Sequence, residues 1–253
     1  MSIDKYIKET RTFAYENKYE FLDQKLKNLL KEIQTFEQFI YLLKQNLTPY
    51  EINLIVSEGD KIRLCNKKGE NFLFFINSHK IQMIDNLQQN YFKKNNHLNQ
   101  NLLFTSQNYD VYKLFFEKGV NPNQEDKKGR FPAYNLLMER ESSQFENVFQ
   151  LFIDNGFDVN KKNKRGFSFF DYINHRYCKN EATNILWSLR NIIVNNRMEL
   201  PEKTIELLIN KFKEVKKYNS SIDNPLLPYC ESIILKKSMT SMAKKEINVK
   251  KRI

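Results

Sequence analysis

The chain has 253 residues, a formal net charge of +11, 41% apolar and 13% aromatic content. That apolar fraction excludes wholesale disorder, and no run approaches the 18 or so apolar residues of a membrane span. Three scattered cysteines, Cys65, Cys178 and Cys230, exclude a disulfide scaffold and suit a reducing compartment.

The N-terminus, Met1 to Glu9, lacks the apolar core of a signal peptide, so a cytoplasmic location, or delivery into a host cytosol, is expected. Residues 1–58 read as a helical N-terminal cap. Leu22, Leu26, Leu29, Ile33, Phe36, Ile40 and Leu43 recur at three- and four-residue steps, which predicts one amphipathic helix over 19–46. Thr48-Pro49-Tyr50-Glu51 then opens another helix: Thr caps, Pro suits the first turn, and Glu completes a capping box.

Residues 59–196 carry an internal repeat. Gly119 and Gly129 are ten residues apart, as are Gly156 and Gly166, and the second pair follows the first by 37. The stretch Leu114–Asn123 matches Leu151–Asn160, and Asp126–Tyr134 matches Asn163–Asp171. Two fainter copies begin at Asn66 and Asn96 if Gly69 corresponds to Asn99, since Asn is the commonest non-Gly residue at positive φ. The turn positions are then 69, 99, 129 and 166. In a chain with only six glycines, Gly119 and Gly156 read as helix stops, and Gly129 and Gly166 as turns before the next helix. Helices are predicted at 132–139 and 145–155, with the longer spacing placed at Arg140–Gln144, and again at 168–177 and 181–195. A period in the thirties means a stacked helical solenoid. Residues 197–238 follow as a C-terminal helical cap, with helices near 200–217 and 224–237. Residues 239–253 complete a basic tail; from Lys236 onward seven basic residues face Glu246 alone.

The pattern Leu-x-x-x-x-Gly-x-x-x-Asn followed by Asp-x-x-Gly-x-x-Pro resembles the ankyrin repeat. Leu114, Gly119, Asn123, Asp126, Gly129 and Pro132 stand at its signature positions. The family's Thr-Pro-Leu-His tetrad is present only as Phe131-Pro132-Ala133-Tyr134 and as Ser168-Phe169-Phe170-Asp171. Aromatic packing is therefore expected to replace the Thr/His hydrogen bonds between neighbouring turns. The resemblance covers about 60–195 and neither end. It implies an all-α fold of stacked antiparallel helix pairs, with hairpin-like loops projecting to one side. Proteins of this family bind other proteins through the concave face made by inner helices and loop tips, and are not usually enzymes.

The residues themselves supply no catalytic set. His79, His97 and His175 are far apart, and no phosphate-cradling glycine loop is present. His175 and Cys178 lie one helical turn apart, but no third metal ligand of suitable spacing accompanies them. No cofactor or metal is expected.

One constellation is periodic. Lys67 and Lys68, Lys93 and Lys94, Lys127, Lys128 and Arg130, then Lys161, Lys162, Lys164 and Arg165 fall in or beside successive loops. Equivalent positions of a solenoid align, which predicts a basic edge. Charged loop tips in a lysine-rich chain are also ordinary solvated surface. The expected partner is a protein with an acidic surface, held by loops 123–130 and 160–167 with Asn135, Met138 and Glu139 on the adjoining inner helix. Nucleic acid or an anionic surface, met by the basic edge and tail, is the alternative, though no nucleic-acid-binding signature supports it. A bacterial effector, an immunity or inhibitor protein and a complex subunit all fit such a chain.

Overall fold

Local start and stop signals set the helices. In the computed structural model the described residues are 2–13, 19–45, 47–57, 64–75, 87, 89–105, 108–137, 144–218, 227–236 and 238–239. Among them every regular element is helical. The chain divides into two compact units, Met1–Pro132 and Ala133–Ile253.

The first unit begins with helices Ile3–Phe13, Tyr19–Glu32, Phe36–Leu43 and Pro49–Ser57. The single helix expected over 19–46 is thus two. Thr35 adopts extended backbone (φ −116°, ψ 155°), and its hydroxyl accepts the Gln38 N–H while the Gln38 side chain accepts the Thr35 N–H. A Thr-x-x-Gln capping box restarts the helix. The apolar periodicity runs across the break because Ile33 and Phe36 are both buried. At the next junction the Thr48–Glu51 box forms as expected: Glu51 Oε2 accepts the Thr48 N–H at 2.7 Å and Thr48 Oγ1 accepts the Glu51 N–H at 3.2 Å.

Phenol–carboxylate bonds tie these helices together. Tyr6 donates to Glu51 at 2.7 Å, Tyr41 donates to Asp4 at 2.7 Å, and Tyr50 donates to Asp23. Further along the unit, single 3-10 turns Phe72–Phe75 and Leu102–Phe104 follow the first two loops. Each starts on an asparagine, Asn71 or Asn101, whose side chain accepts a backbone N–H two residues on. Phe39 meets Phe72 edge-on at 6.0 Å, which packs the third helix against the first of these turns. Helix Tyr109–Glu117 closes with Gly119 at φ +77°; the Gly119 N–H reaches Phe116 O and the Val120 N–H reaches Phe115 O, a Schellman stop.

The second unit holds helices Ala133–Leu136, Phe145–Asp154, Phe169–Arg176, Lys179–Ser188, Arg190–Asn195 and Glu202–Tyr218, with a further helix over 227–236. Gly156 (φ +83°) repeats the Schellman stop through Ile153 O and Phe152 O. The helix expected over 181–195 is interrupted at Leu189, between Ser188 and Arg190. Aromatic rings fill this core: Phe149, Phe152, Phe169 and Phe170 are buried, Phe149 stacks on Phe169 at 4.9 Å, and Phe157 meets Phe169 edge-on at 5.7 Å. The expected link at 140–143, the ends of two expected helices (138–139 and 224–226) and the tail from 240 lie outside the described residues.

Candidate interaction surface: the loop tips

Four loops share one construction, built on an Asn or Asp three residues before the turn residue at positive φ. Asn66, Asn96, Asp126 and Asn163 each place Oδ1 on two backbone N–H groups, two and four residues on. The eight distances lie between 2.8 and 3.0 Å. The same residue's backbone N–H donates to the carbonyl four residues on, and its carbonyl accepts from the residue three on: Gly69, Asn99, Gly129 or Gly166. Those four residues have φ of 76°, 59°, 71° and 80°. Asn99 therefore takes the left-handed conformation that its alignment with Gly69 predicts. Three of the Asx residues, Asn96, Asp126 and Asn163, are under a tenth exposed and Asn66 is half-buried, so the loop frame faces inward and leaves a two-residue tip outside.

Within the first unit, successive tips are bonded to one another. The His97 N–H donates to Lys68 O at 2.7 Å, and the Lys127 N–H donates to Leu98 O at 2.8 Å. Side chains repeat the link: Asn99 Nδ2 donates to Glu125 O at 2.7 Å and Gln100 Nε2 to Asp126 Oδ2 at 3.2 Å. In the second unit Tyr134, which stands where the tetrad has His, stacks on Tyr172 with ring centroids 4.0 Å apart. Its hydroxyl also makes long contacts to the Phe167 and Ser168 carbonyls, 3.4 and 3.5 Å. Aromatic packing thus supplements the inter-turn hydrogen bonding rather than replacing it. Ser168, at the Thr position of the next copy, caps its helix through a reciprocal box with Asp171.

The loop and glycine geometry agrees with the resemblance to the ankyrin repeat that the sequence carries. No protein-family model and no curated protein matches the chain. Among solved structures it is similar to an ankyrin repeat domain from Acinetobacter baumannii AYE, with 13% identity and a TM-score of 0.47 over 66% of this chain and 91% of that one. It is also similar to a second ankyrin repeat protein, with 16% identity and a TM-score of 0.48 over 70% of this chain and 94% of that one.

The loops sort their charges by direction. Asp126 is 1% exposed and gathers Arg130: Nε lies at 2.9 Å and Nη2 at 2.7 Å from Oδ2. Burial would raise its carboxyl pKa, but the Arg130 N–H, the guanidinium bonds and charge, and Gln100 together hold it below the usual value. Glu70 is likewise engaged, accepting from Asn66 at 2.8 Å and from Asn96 at 3.4 Å. Lys67, Lys68, Lys127 and Lys128 are exposed, and none of them is paired with a carboxylate among the described residues. Arg130, a proposed contact residue from the sequence, is therefore bound up in the loop framework while Lys127 and Lys128 face outward.

In the second unit Lys161, Lys162, Lys164 and Arg165 are exposed on or beside the 163–167 loop. Asp158 caps the preceding turn through the Asn160 N–H at 2.9 Å. Asn135 is half-buried on helix Ala133–Leu136. Met138 and Glu139, and with them His79, lie outside the described residues. His175 stacks on Phe167 with centroids 4.8 Å apart, and Cys178 Sγ contacts Glu181 at 3.4 Å. Among the described residues no group of three His, Cys, Asp or Glu side chains is arranged to hold a metal. No helix there is long and apolar enough to cross a membrane.

The Asx residues were visible in the aligned stretches, but their part in the loop was not read from them. The signal was the recurrence of Asn, Asn, Asp and Asn three positions before each turn residue. Arg130 carried a second signal, being the only arginine four residues after one of these Asx positions where the Asx is an acid.

Proposed function

We propose that the chain is a protein-interaction module that holds a partner with an acidic surface on its repeat loops. Lys127 and Lys128 of loop 123–130 and Lys161, Lys162, Lys164 and Arg165 of loop 160–167 make the contacts, with Arg130 framing the first loop. Asn135 extends the surface onto helix Ala133–Leu136, and Met138 and Glu139 are assigned to the same contact from the sequence. The non-repeat helices at either end serve as caps over the repeats. The observation that carries this reading is the sorting of charge in loop 126–130: its carboxylate is buried against Arg130 while both tip lysines are exposed. A rigid loop with outward cations loses little entropy on binding and speeds encounter with an anionic surface.

The test is a five-site reversal of Lys127, Lys128, Lys161, Lys162 and Lys164 to Glu. A partner captured by the unmodified chain and identified by mass spectrometry should lose about tenfold or more in affinity, mostly in association rate and most strongly at low salt. The thermal midpoint should barely move, since exposed charges contribute little to stability. Unchanged partner affinity would refute the loop rim.

A further inference from the structure

We infer that the three bonded tips of the first unit form a recognition strip for an extended acidic segment of the partner, read as carboxylate, apolar side chain, carboxylate. This deepens the proposed function and rests on it. The strip runs Lys67–Lys68, His97–Leu98, Lys127–Lys128, one pair per loop, and every one of the six residues is exposed. The backbone bonds from His97 to Lys68 and from Lys127 to Leu98 set the order and fix neighbouring tips side by side.

The centre differs from the flanks. Leu98 is 44% exposed, a large apolar side chain between two pairs of cations. Two carboxylates beside those cations, Glu70 and Asp126, are occupied by Asn66, Asn96 and Arg130. A ligand meeting all three tips needs negative charge at both ends and an apolar group in the middle.

That pattern favours a peptide over a nucleic acid. A phosphate chain would set charge against the apolar Leu98 at the centre of the strip, where the His97 ring alone could donate. Stacking of bases needs open aromatic faces. The tips carry only His97, whose ring lies against Gly69: a Cβ there would fall 2.6 Å from His97 Cδ2. Packed repeats are roughly 10 Å apart, and an extended chain rises about 3.3 Å per residue, so each loop spans about three residues of ligand. The partner segment should then carry acidic residues about six apart, with a Leu-like residue midway.

The experiment uses the full chain and a fluorescein-labelled peptide, Glu-Glu-Ser-Ser-Leu-Ser-Ser-Glu-Glu, titrated by anisotropy at low and physiological salt. Saturable binding is expected. Replacing the peptide's Leu with Ser, or making Leu98→Ser in the protein, should each weaken it about tenfold, the effect of one buried aliphatic side chain. Lys67→Gln with Lys68→Gln, and separately Lys127→Gln with Lys128→Gln, should each weaken it at least tenfold; circular dichroism melts check that these variants stay folded. No saturation, or equal binding by the lysine variants, overturns the strip. Tighter binding of a dT oligonucleotide, indifferent to Leu98→Ser, overturns it in favour of nucleic acid. If the five-site reversal abolishes capture of the natural partner while the peptide never binds, the strip fails and the loop-rim function stands.

Discussion

The N-terminal helices and the hairpin loops of the first unit are fastened by different chemistry. Helices 3–57 are joined by phenol–carboxylate bonds between side chains far apart in sequence, Tyr6 to Glu51, Tyr41 to Asp4 and Tyr50 to Asp23. Each loop at 66–70, 96–100 and 126–130 is held by one Asx side chain on backbone donors at most four residues away, plus one residue at positive φ. Local bonds recur wherever the motif recurs, so the loops form an array. Long-range bonds specify one arrangement of four helices. The two regions should therefore fail differently.

The largest effect should come from Asp126, the loop residue with the most bonds. Asp126→Ala removes an acceptor of two backbone N–H groups, two guanidinium N–H groups and the Gln100 amide. A loss of about 3 kcal/mol is expected from urea unfolding, because buried donors and a partly buried cation are left without a partner. Asp126→Asn keeps the two backbone bonds, as Asn66, Asn96 and Asn163 do in their own loops, and should cost about 1 kcal/mol. The pH dependence follows from the lowered carboxyl value. The contribution is full above the ordinary Asp pKa and is lost as pH falls through the lower folded value. An acid titration of stability should thus be shallower in Asp126→Asn below about pH 4.

Next in size is a contrast between two glycines. Gly69 and Gly119 have the same φ, 76° and 77°. A Cβ at Gly69 would strike His97, whereas at Gly119 nothing lies within 4 Å. Gly119→Ala should cost about 1 kcal/mol from backbone conformation alone. Gly69→Ala should cost about 2–3 kcal/mol, because the His97 ring and the tip bonded to Lys68 must also shift. Equal losses would show that the two neighbouring tips are not packed against each other.

The legibility of the two regions follows the same division. The loops could be read because their determinants sit close together and repeat: Gly69, Gly129 and Gly166 mark the turn, and Asn99 could be placed by alignment. Schellman stops at Gly119 and Gly156 were legible for the same reason. The break at Thr35 was obscured because apolar spacing carries on through Ile33 and Phe36, so periodicity outweighed a capping box only four residues long. The inward turn of Asp126 and Glu70 was not legible at all. Only the bond geometry separates a structural carboxylate from an exposed one. Leu98 was passed over likewise, since one leucine in a polar loop carries no periodic signal.

For the helical region, Tyr6→Phe is the matching perturbation. Tyr6 is fully buried and donates to Glu51, which itself is 7% exposed and holds the Thr48 cap. Losing that donor should cost about 1–2 kcal/mol. Burial, then the hydrogen bond to Glu51 and its charge, then Asp23 raise the Tyr6 pKa. A raised folded value means that this stability is fully present below the ordinary phenol pKa and is lost as pH climbs beyond it. Unfolding of the unmodified chain should steepen above about pH 10, and Tyr6→Phe should flatten part of that slope. The loops contain no phenol, so alkali should release the N-terminal helices first, visible as early loss of protection in hydrogen exchange over residues 3–57.

The smallest predicted effect is a gain. Helix Arg190–Asn195 ends in the Schellman geometry of the repeat helices: the Arg197 N–H reaches Val194 O at 3.1 Å and the Met198 N–H reaches Ile193 O at 3.1 Å. The residue at the left-handed position is Arg197, with φ 47°, where Gly119 and Gly156 serve the other two stops. An L-residue there costs about 1–2 kcal/mol, partly offset in a glycine variant by the greater freedom of the unfolded chain. Arg197→Gly should therefore stabilise by about 0.5–1 kcal/mol and raise the melting temperature by a few degrees. Arg197→Ala, which retains the Cβ, should leave it unchanged. A gain in the alanine variant equal to that in the glycine variant would place the penalty in the arginine side chain, not in the backbone, and would separate this stop from the glycine-built stops of the repeats.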